Sequence, residues 1–273
     1  MWYLSLRNTA VTTAGIQSRD PQVGIYGIDL TNTLVDDDAL PIIGKLPNMR
    51  SIELRGTKVK GSTLKSLRGS ALHALNLSDT PLEEKYLADL LPPDGAKGTE
   101  LNQVTISNLG LANVPLSEKG LRVVSKIRSL THINVSGSKP NQDALSRLDG
   151  LSTVQSMTVD AKHLGDQGLS VRPHINLHLV YRDDTPVSEI GEHAQAILQT
   201  RSRNSDSGVI IDGFTLTLDS TKEIMQLMNT WNHSLQLTNA ILPDGTKRDF
   251  NHATPFEVFA REQFGIEPTT VLD

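Results

Sequence analysis

The side chains with the clearest chemical potential form two small groups of metal-ligand residues, and neither has the pattern of a complete site. Asp36, Asp37 and Asp38 are consecutive carboxylates, but they lack the alternating oxygen ligands and the glycine of a calcium loop. Carboxylates in such a run more often stabilise the start of a helix through the positive end of its dipole. His174 and His178 share one face of a predicted strand without an evident third ligand. We therefore predict no metal site and no cofactor.

The motifs of common catalytic centres are absent from the sequence. The chain has no cysteine, which excludes a thiol nucleophile and a thiolate metal site. It also has no phosphate-binding Gly-x-x-x-x-Gly-Lys, no His-Glu-x-x-His and no Gly-x-Ser-x-Gly. We therefore predict that the protein is not an enzyme. One alternative is an enzyme or regulator whose activity lies in the C-terminal third, where the available polar groups are Arg201, Arg203, Asp206, Asp212, His233 and His252.

Composition narrows the class of partner. The chain has 273 residues, of which 26 are Lys or Arg and 31 are Asp or Glu, so its net charge is −5 at pH 7. This mild acidity argues against a nucleic-acid partner and against an anionic membrane surface. No apolar run approaches the roughly 18 residues of a membrane-spanning helix, and the first residues lack the pattern of a signal peptide. We expect a cytoplasmic protein, with a secreted effector as the alternative.

An internal repeat predicts the elements that would position any site. A phrase of the form apolar-x-x-apolar-x-apolar-x-x-Thr-x-apolar recurs, and its alternating part predicts a short strand with one buried face. The Thr hydroxyl is expected to bond nearby backbone groups in the turn that follows. Apolar residues at helical spacing then predict a short helix before the next strand. Successive copies lie 23 to 29 residues apart when the third apolar position is followed through Leu6, Leu30, Leu54, Leu77, Ile106, Val135 and Val159.

These phrases resemble bacterial-type leucine-rich repeats, in the subclass that has Thr where many families have Asn or Cys. Residues 54–59 and 77–82 match that pattern best. The resemblance implies a right-handed α/β solenoid of about seven repeats over residues 1–170, with a parallel concave sheet and short convex helices. It also implies that the concave sheet binds another macromolecule. For residues 171–273 we expect degenerate repeats and a C-terminal capping region, with a separate small α/β domain as the alternative.

The N-terminal end of the repeats is unusual, because Met1 enters the first strand without a polar capping helix. An open strand edge favours association with another chain. We therefore expect either that the N-terminal cap is missing, as in a fragment of a longer array, or that a partner associates through this uncapped edge.

The predicted functional surface is the solvent-facing side of the concave sheet. Residues that alternate with the buried positions form three columns, and in the fifth repeat the register based on Ile106 places Gln103, Thr105 and Ser107 in them. Seven strands would offer about 500–600 Å², which is less than the roughly 800 Å² per partner of a standard interface. The face is therefore predicted to bind a protein or peptide, through Tyr3, Arg7, Asp29, Glu53, Arg55, Asn76, Gln103, His132, Asn134 and Asp160.

The resulting prediction is a non-catalytic protein-binding scaffold. Since fold does not determine function, analogy with similar repeats leaves a second possibility, a substrate-recognition adaptor or effector in an assembly such as a ubiquitin ligase.

Overall fold

A computed structural model of the chain describes residues 2–17, 24–92, 105–138, 153–160, 175–181, 209–231, 235–251 and 253–266. Residue contacts divide the chain into two compact units, Met1–Val154 and Gln155–Asp273. Each unit has mixed α/β structure with a mostly parallel sheet, as the repeat pattern predicts. The sequence pattern also predicts a helix at residues 187–198, and these residues lie outside the described ones. In the part of the chain that the structure describes, no helix is both long enough and apolar enough to cross a membrane.

Unit 1 contains six short strands that pair in parallel, each with the next one in the chain. The pairing places one apolar residue of each strand in a single row, and the leucine or valine that follows each strand forms a second row. In that second row Leu30, Leu54 and Leu77 are fully buried. The strands are β1 (Trp2–Ser5), β2 (Ile25–Asp29), β3 (Ser51–Glu53), β4 (Ala74–Asn76), β5 (Asn108–Gly110) and β6 (His132–Asn134).

Short helical segments connect these strands, because a repeat of about 24 residues leaves room for only one or two helical turns. Successive segments contact each other along unit 1. The apolar pairs at helical spacing, Leu64 with Leu67 and Leu121 with Val124, predict the buried side of two of these segments, and all four residues are buried in the structure. The segments are the α-helices Thr13–Gln17, Leu40–Ile43 and Glu118–Val124 and the 3₁₀ helices Asp37–Ala39, Leu64–Leu67 and Glu84–Leu90.

A repeated turn follows the strands and confirms the predicted role of threonine. The hydroxyl of Thr57 donates a hydrogen bond to the carbonyl of Leu54 at 2.7 Å, and Thr33 and Thr80 do the same in their own repeats. The residue before each of these threonines has a positive φ, which glycine, asparagine and aspartate tolerate best. In the turns that directly follow the six strands, the residues with this conformation are Asn8, Asn32, Gly56, Asp79, Asn113 and Gly137.

The structure corrects the predicted register of the fifth repeat. Leu111, not Ile106, follows β5 as its buried second-row residue. Leu111 lies 34 residues after Leu77 and 24 before Val135, so one connection is long and the next has the usual length. The sequence pattern misassigned Ile106 because it too is apolar and buried, at an earlier position of the same repeat.

Unit 2 contains four strands that pair in parallel and a fifth that pairs antiparallel with the fourth. The last strand was not predicted, because its first three residues are charged and exposed and only Phe250 is buried. The sequence pattern predicts a helix from Thr221 to Trp231, and the observed helix begins earlier, at Leu218. The strands are β7 (Ser156–Asp160), β8 (Asn176–Val180), β9 (Val209–Asp212), β10 (Leu235–Ile241) and β11 (Lys247–Phe250), and the helices are Leu218–Trp231 and Ala253–Phe264.

Candidate functional site

Three columns of residues alternate with the buried rows of unit 1, and we call the surface that they form the ladder face. Strand pairing and the backbone hydrogen bonds of the following turns define the columns. The first column is Tyr3, Gly27, Ser51, Ala74, Asn108 and His132. The middle column is Ser5, Asp29, Glu53, Asn76, Gly110 and Asn134. The third column is Arg7, Thr31, Arg55, Ser78, Ala112 and Ser136.

Two of the ten predicted residues are not on this face. The other eight are in its columns, but Asp29 is only 8% exposed and so does not have the solvent-facing orientation that was predicted for it. Gln103 lies outside the described residues. The predicted register places Gln103 in the first column, but Asn108 occupies that position. Asp160 belongs to unit 2 and is only 1% exposed, so its predicted solvent-facing orientation is wrong. The physical reason is that the third position begins a tight turn, where Ser78 and Ser136 of unit 1 are buried as well.

The middle column is held in place by its own backbone. The Oδ1 atom of Asp29 accepts a hydrogen bond from the amide of the residue two positions later, at 2.9 Å. Asn76 and Asn134 make the same contact, each at 3.0 Å. Short side chains that carry an oxygen favour this local turn. These three side chains are therefore ordered by the turns of the fold itself.

Two ion pairs neutralise most of the charge on and beside the ladder face. The Nε atom of Arg7 lies 4.0 Å from Oδ2 of Asp29, and Nε of Arg55 donates a hydrogen bond to Oδ2 of Asp79 at 2.6 Å. Burial raises the pKa of Asp29, but hydrogen bonds from Thr31, the charge of Arg7 and a hydrogen bond from Ser5 outweigh it, so this pKa lies below its usual value. Asp29 is thus ionised and matched by a cation.

Glu53 is the exception in this column. Its side chain accepts a hydrogen bond from the Asn76 side chain, and none of the cations that the structure describes forms an ion pair with it. Because Oδ1 of Asn76 is bonded to the amide of Ser78, its Nδ2 group is the donor that faces Glu53. Burial raises the pKa of Glu53; the Asn76 bond lowers it in part, and the charge of Asp29 raises it further.

An aromatic side chain lies at the β1 end of the face. The ring of Tyr3 covers Gly27, where an added Cβ would lie 2.6 Å from the ring. The ring is 47% exposed, and its centroid lies 6.0 Å from that of Tyr26. Burial raises the pKa of the Tyr3 hydroxyl, and the nearby charges of Asp29 and Glu53 raise it further. The Tyr3 hydroxyl therefore stays protonated beside these carboxylates.

Gly110 contributes to the face through its lack of a side chain, and sequence reasoning missed it. A Cβ at this position would overlap Oδ1 of Asn76 and would lie 2.8 Å from its Cγ. Gly110 therefore leaves the space that Asn76 needs to reach Glu53. Residues 109–113 contain a signal for the correct register. Asn113 follows Leu111 by two positions, as Asn32 follows Leu30 in the second repeat, and both asparagines have a positive φ.

The consecutive aspartates in the second connection, between β2 and β3, have structural partners. Oδ1 of Asp36 accepts a hydrogen bond from the Thr13 hydroxyl of the preceding repeat at 2.7 Å, and another from the amide of Asp38 at 3.3 Å. Oδ1 of Asp37 accepts a hydrogen bond from the amide of Gly61 in the following repeat at 2.7 Å. In the ranges that the structure describes, no group of three or more potential ligands could hold a metal ion.

Unit 2 contains a histidine–aspartate pair. Nε2 of His178 is buried, makes no hydrogen bond and lies 3.7 Å from Oδ2 of Asp212. Oδ1 of Asp212 accepts hydrogen bonds from Thr238 and Asn239. Burial lowers the pKa of His178, and the charge of Asp212 opposes that effect only in part. The other polar groups proposed for this part of the chain lie outside the described residues, namely His174, Arg201, Arg203, Asp206, His233 and His252.

Comparison with known proteins gives a structural likeness only. No protein-family model and no curated protein sequence matches the chain. A solved structure of a plant peptide hormone receptor, RGFR1, in complex with RGF2 is similar, with 13% sequence identity and a TM-score of 0.34. The match covers 88% of this chain and 48% of the receptor chain, so this chain spans about half the length of that one.

Proposed function

We propose that the chain is a leucine-rich-repeat solenoid module that binds a protein or peptide segment on the ladder face and catalyses no reaction. The observation that carries this proposal is the register of the six parallel strands. It aligns eight of the predicted residues in columns, on a surface whose middle column is ordered by hydrogen bonds.

The size of the face favours a peptide-scale partner. Six strands have five gaps of about 4.8 Å, which makes the face about 24 Å across. A strand with its first turn residues is about 17 Å long, so the area is about 400 Å². A standard interface needs about 800 Å² per partner. One extended segment of a partner protein fits this area better than a whole domain surface.

Local order of the polar side chains supports binding. Association normally costs about 0.5–1.5 kcal/mol for each rotamer-rich side chain that becomes immobile. Asp29, Asn76 and Asn134 are already bonded to their own turns, so a ligand would meet side chains whose rotamers are selected in advance.

A hydroxyl–imidazole contact on the face has a structural explanation, which supports a non-catalytic function. Oγ1 of Thr131 lies 2.8 Å from Nδ1 of His132, a distance that would suit a nucleophile and its base. However, the Thr131 hydroxyl donates its proton to the carbonyl of Ser107 at 3.0 Å. With its proton directed to that carbonyl, the Thr131 oxygen can only accept from the tautomer of His132 that carries a proton on Nδ1, and in that arrangement the imidazole is not a base for the hydroxyl.

We also propose that residues 171–273 are degenerate repeats that end in a capping region. The parallel pairing of β8, β9 and β10 supports the repeats. The helix Ala253–Phe264 supports the cap, because its Phe256 and Phe259 pack on the buried Phe250 at centroid distances of 5.1 and 5.2 Å.

A peptide selection with two charge-swapped variants tests the binding function. Random peptides displayed on phage would be selected on the wild-type protein, and the recovered peptides measured against each variant. The test variant, Glu53→Arg with Arg55→Glu, reverses two charges on the ladder face. The control, Glu118→Arg with Arg122→Glu, reverses an ion pair of 2.7 Å on a connecting helix. Both variants keep the net charge.

We expect the recovered peptides to lose binding to the ladder-face variant and to bind the control as they bind the wild type. The circular dichroism spectra of both variants should match that of the wild type. Peptides that bind the ladder-face variant with unchanged affinity would contradict the proposal, and so would a selection that recovers no binding peptide.

A further inference from the structure

Among the residues that the structure describes, charge pairing on the ladder face leaves one carboxylate, that of Glu53, unmatched. Arg7 lies beside Asp29, and Arg55 is bonded to Asp79, so each of these cations already has an anionic partner. Glu53 lies between the two pairs and has a neutral hydrogen-bond donor, Asn76, as its neighbour. A half-buried carboxylate without a counter-ion attracts a cation more strongly than an exposed one does, because the surrounding dielectric is lower.

The fold holds Glu53 in one arrangement. Asn76 is anchored by the amide of Ser78 at 3.0 Å, and its other end bonds Glu53. Gly110 leaves the space in which Asn76 lies. Glu53 therefore lies beside a donor, Asn76, whose own position is fixed by the two strands that follow β3 in the sheet.

The surroundings of Glu53 leave room for an incoming side chain. The first column, which runs beside that of Glu53, has three small residues next to one another on β2, β3 and β4, namely Gly27, Ser51 and Ala74. Tyr3 closes this strip at the β1 end, where its ring lies over Gly27. Ser51 is thus flanked by an aromatic ring on one side and by Glu53 two residues further along β3.

We propose that the partner segment inserts an arginine side chain between Tyr3 and Glu53, with its guanidinium group paired to the Glu53 carboxylate. This inference rests on the proposed binding function and names the chemistry of its partner. A guanidinium group is planar, bonds a carboxylate through two parallel N–H groups and stacks on aromatic rings. Lysine offers a point charge without this geometry, so arginine fits an aromatic ring beside a carboxylate better. The cation also relieves the repulsion between Glu53 and Asp29.

The test uses the peptides recovered from the selection on wild-type protein. We expect them to share an arginine at one position. A fluorescein-labelled peptide of this kind would be compared with its citrulline version, which keeps the shape of arginine and removes the charge. On the wild-type protein, citrulline should weaken the Kd about tenfold or more. On Glu53→Gln the arginine and citrulline peptides should bind with equal affinity.

Two variants separate pairing from a structural effect. Asp38→Asn removes an exposed carboxylate from a connecting segment and should leave the tenfold difference unchanged. Gly110→Ala displaces Asn76, so we expect it to reduce the difference between the arginine and citrulline peptides while the melting curve stays cooperative.

The outcomes for this inference and for the binding function are distinct. Peptides that bind the ladder face but show no preference for arginine, or that are acidic, would overturn the inference and leave the binding function in place. An unchanged citrulline effect on Glu53→Gln would also overturn it. Peptides insensitive to the charge-swapped variant of the ladder face would overturn both.

Discussion

The Oδ1 atom of Asp37 accepts a hydrogen bond from the amide of Gly61, 24 residues later, at 2.7 Å. The same carboxylate accepts bonds from the amide of Lys60 at 3.0 Å and from the hydroxyl of Ser62 at 2.8 Å. The hydroxyl of Thr63 donates to the Asp37 carbonyl. One residue of a connecting segment therefore holds the start of the next connecting segment, and these polar contacts join adjacent repeats.

Asp37→Ala should destabilise the protein by about 2–3 kcal/mol, because it leaves two backbone amides and a hydroxyl without their charged acceptor. Urea denaturation followed by circular dichroism would measure the change in the free energy of unfolding. Asp38→Ala is the matched control, since Asp38 is exposed in the same short helix, and it should change stability by less than about 0.5 kcal/mol. Equal effects of the two substitutions would contradict this assignment.

Gly56→Ala should cost more stability than Gly69→Ala, although both glycines have positive φ, of 67° and 77°. The left-handed conformation of an alanine at either position destabilises the protein by about 1 kcal/mol. At position 56 the added methyl group would also overlap Oδ1 of Asn32, whereas nothing lies within 4 Å at position 69. The displaced Asn32 would lose its bond to Asn8, of 2.9 Å. We expect an excess of about 0.5–1 kcal/mol in thermal or urea melts.

A double-mutant cycle checks the cause of this excess. In an Asn32→Ala background the obstructing side chain is absent, so the two glycine substitutions should have equal cost. An excess that persists in this background would show that Asn32 is not its source.

Ser138→Ala should cost about 1 kcal/mol, and Val114→Thr should recover most of this loss. The fifth repeat has Val114 where the first four repeats have threonine, and the carbonyl of Leu111 instead accepts a bond from the hydroxyl of Ser138 at 2.8 Å. With Ser138 truncated, a threonine at 114 would supply the missing donor from within its own repeat. In the wild-type background Val114→Thr should not stabilise, because the carbonyl is already bonded. Free energies of unfolding from urea melts of the wild type, the two single variants and the double variant test whether Val114→Thr stabilises only in the Ser138→Ala background.

The stability of unit 2 should fall as the pH drops below about 6.5. The pKa of His178 is lower in the folded protein than its ordinary value of 6.5, so in this range the unfolded chain binds a proton that the native histidine does not. The loss begins near the unfolded pKa and continues until the pH reaches the folded one. His178→Gln should therefore lose less stability than the wild type between about pH 7.5 and about pH 5.5, as measured by thermal melts.

His132→Gln provides the matched control, because His132 is exposed and lies in unit 1. Its melts should show the same decline between the two pH values as those of the wild type. An undiminished decline in His178→Gln would exclude His178 as the cause.

Much of the ladder face follows from the sequence, because strand alternation is a local property with a period of two residues. Once Leu30, Leu54 and Leu77 are recognised as equivalent, the side chains of Asp29, Glu53 and Asn76 must occupy neighbouring positions. This reasoning gave the wrong register for the fifth repeat. A long connection shifted the spacing, and the alternative apolar residue Ile106 obscured the position of Gly110.

The burial of Asp160 shows a second limit of sequence reasoning. Alternation assigns a residue to a face, but the exposure of that residue depends on how the following turn covers it. The charged strand β11 shows a third limit, since antiparallel pairing with β10 stabilises a segment whose own pattern predicts no strand.

The sequence by itself determined the repeating strand–turn–helix unit, the buried leucines and the threonine that closes the turn in each of the first four repeats, because each of these depends on residues within a few positions of one another. Only the tertiary structure decided which partner each polar group has. Asp79 neutralises Arg55, Asp37 holds the next repeat, and Glu53 is left without a cation, and all three depend on contacts between residues about two dozen positions apart. Such contacts are set by strand register and connection length, which local periodicity does not specify.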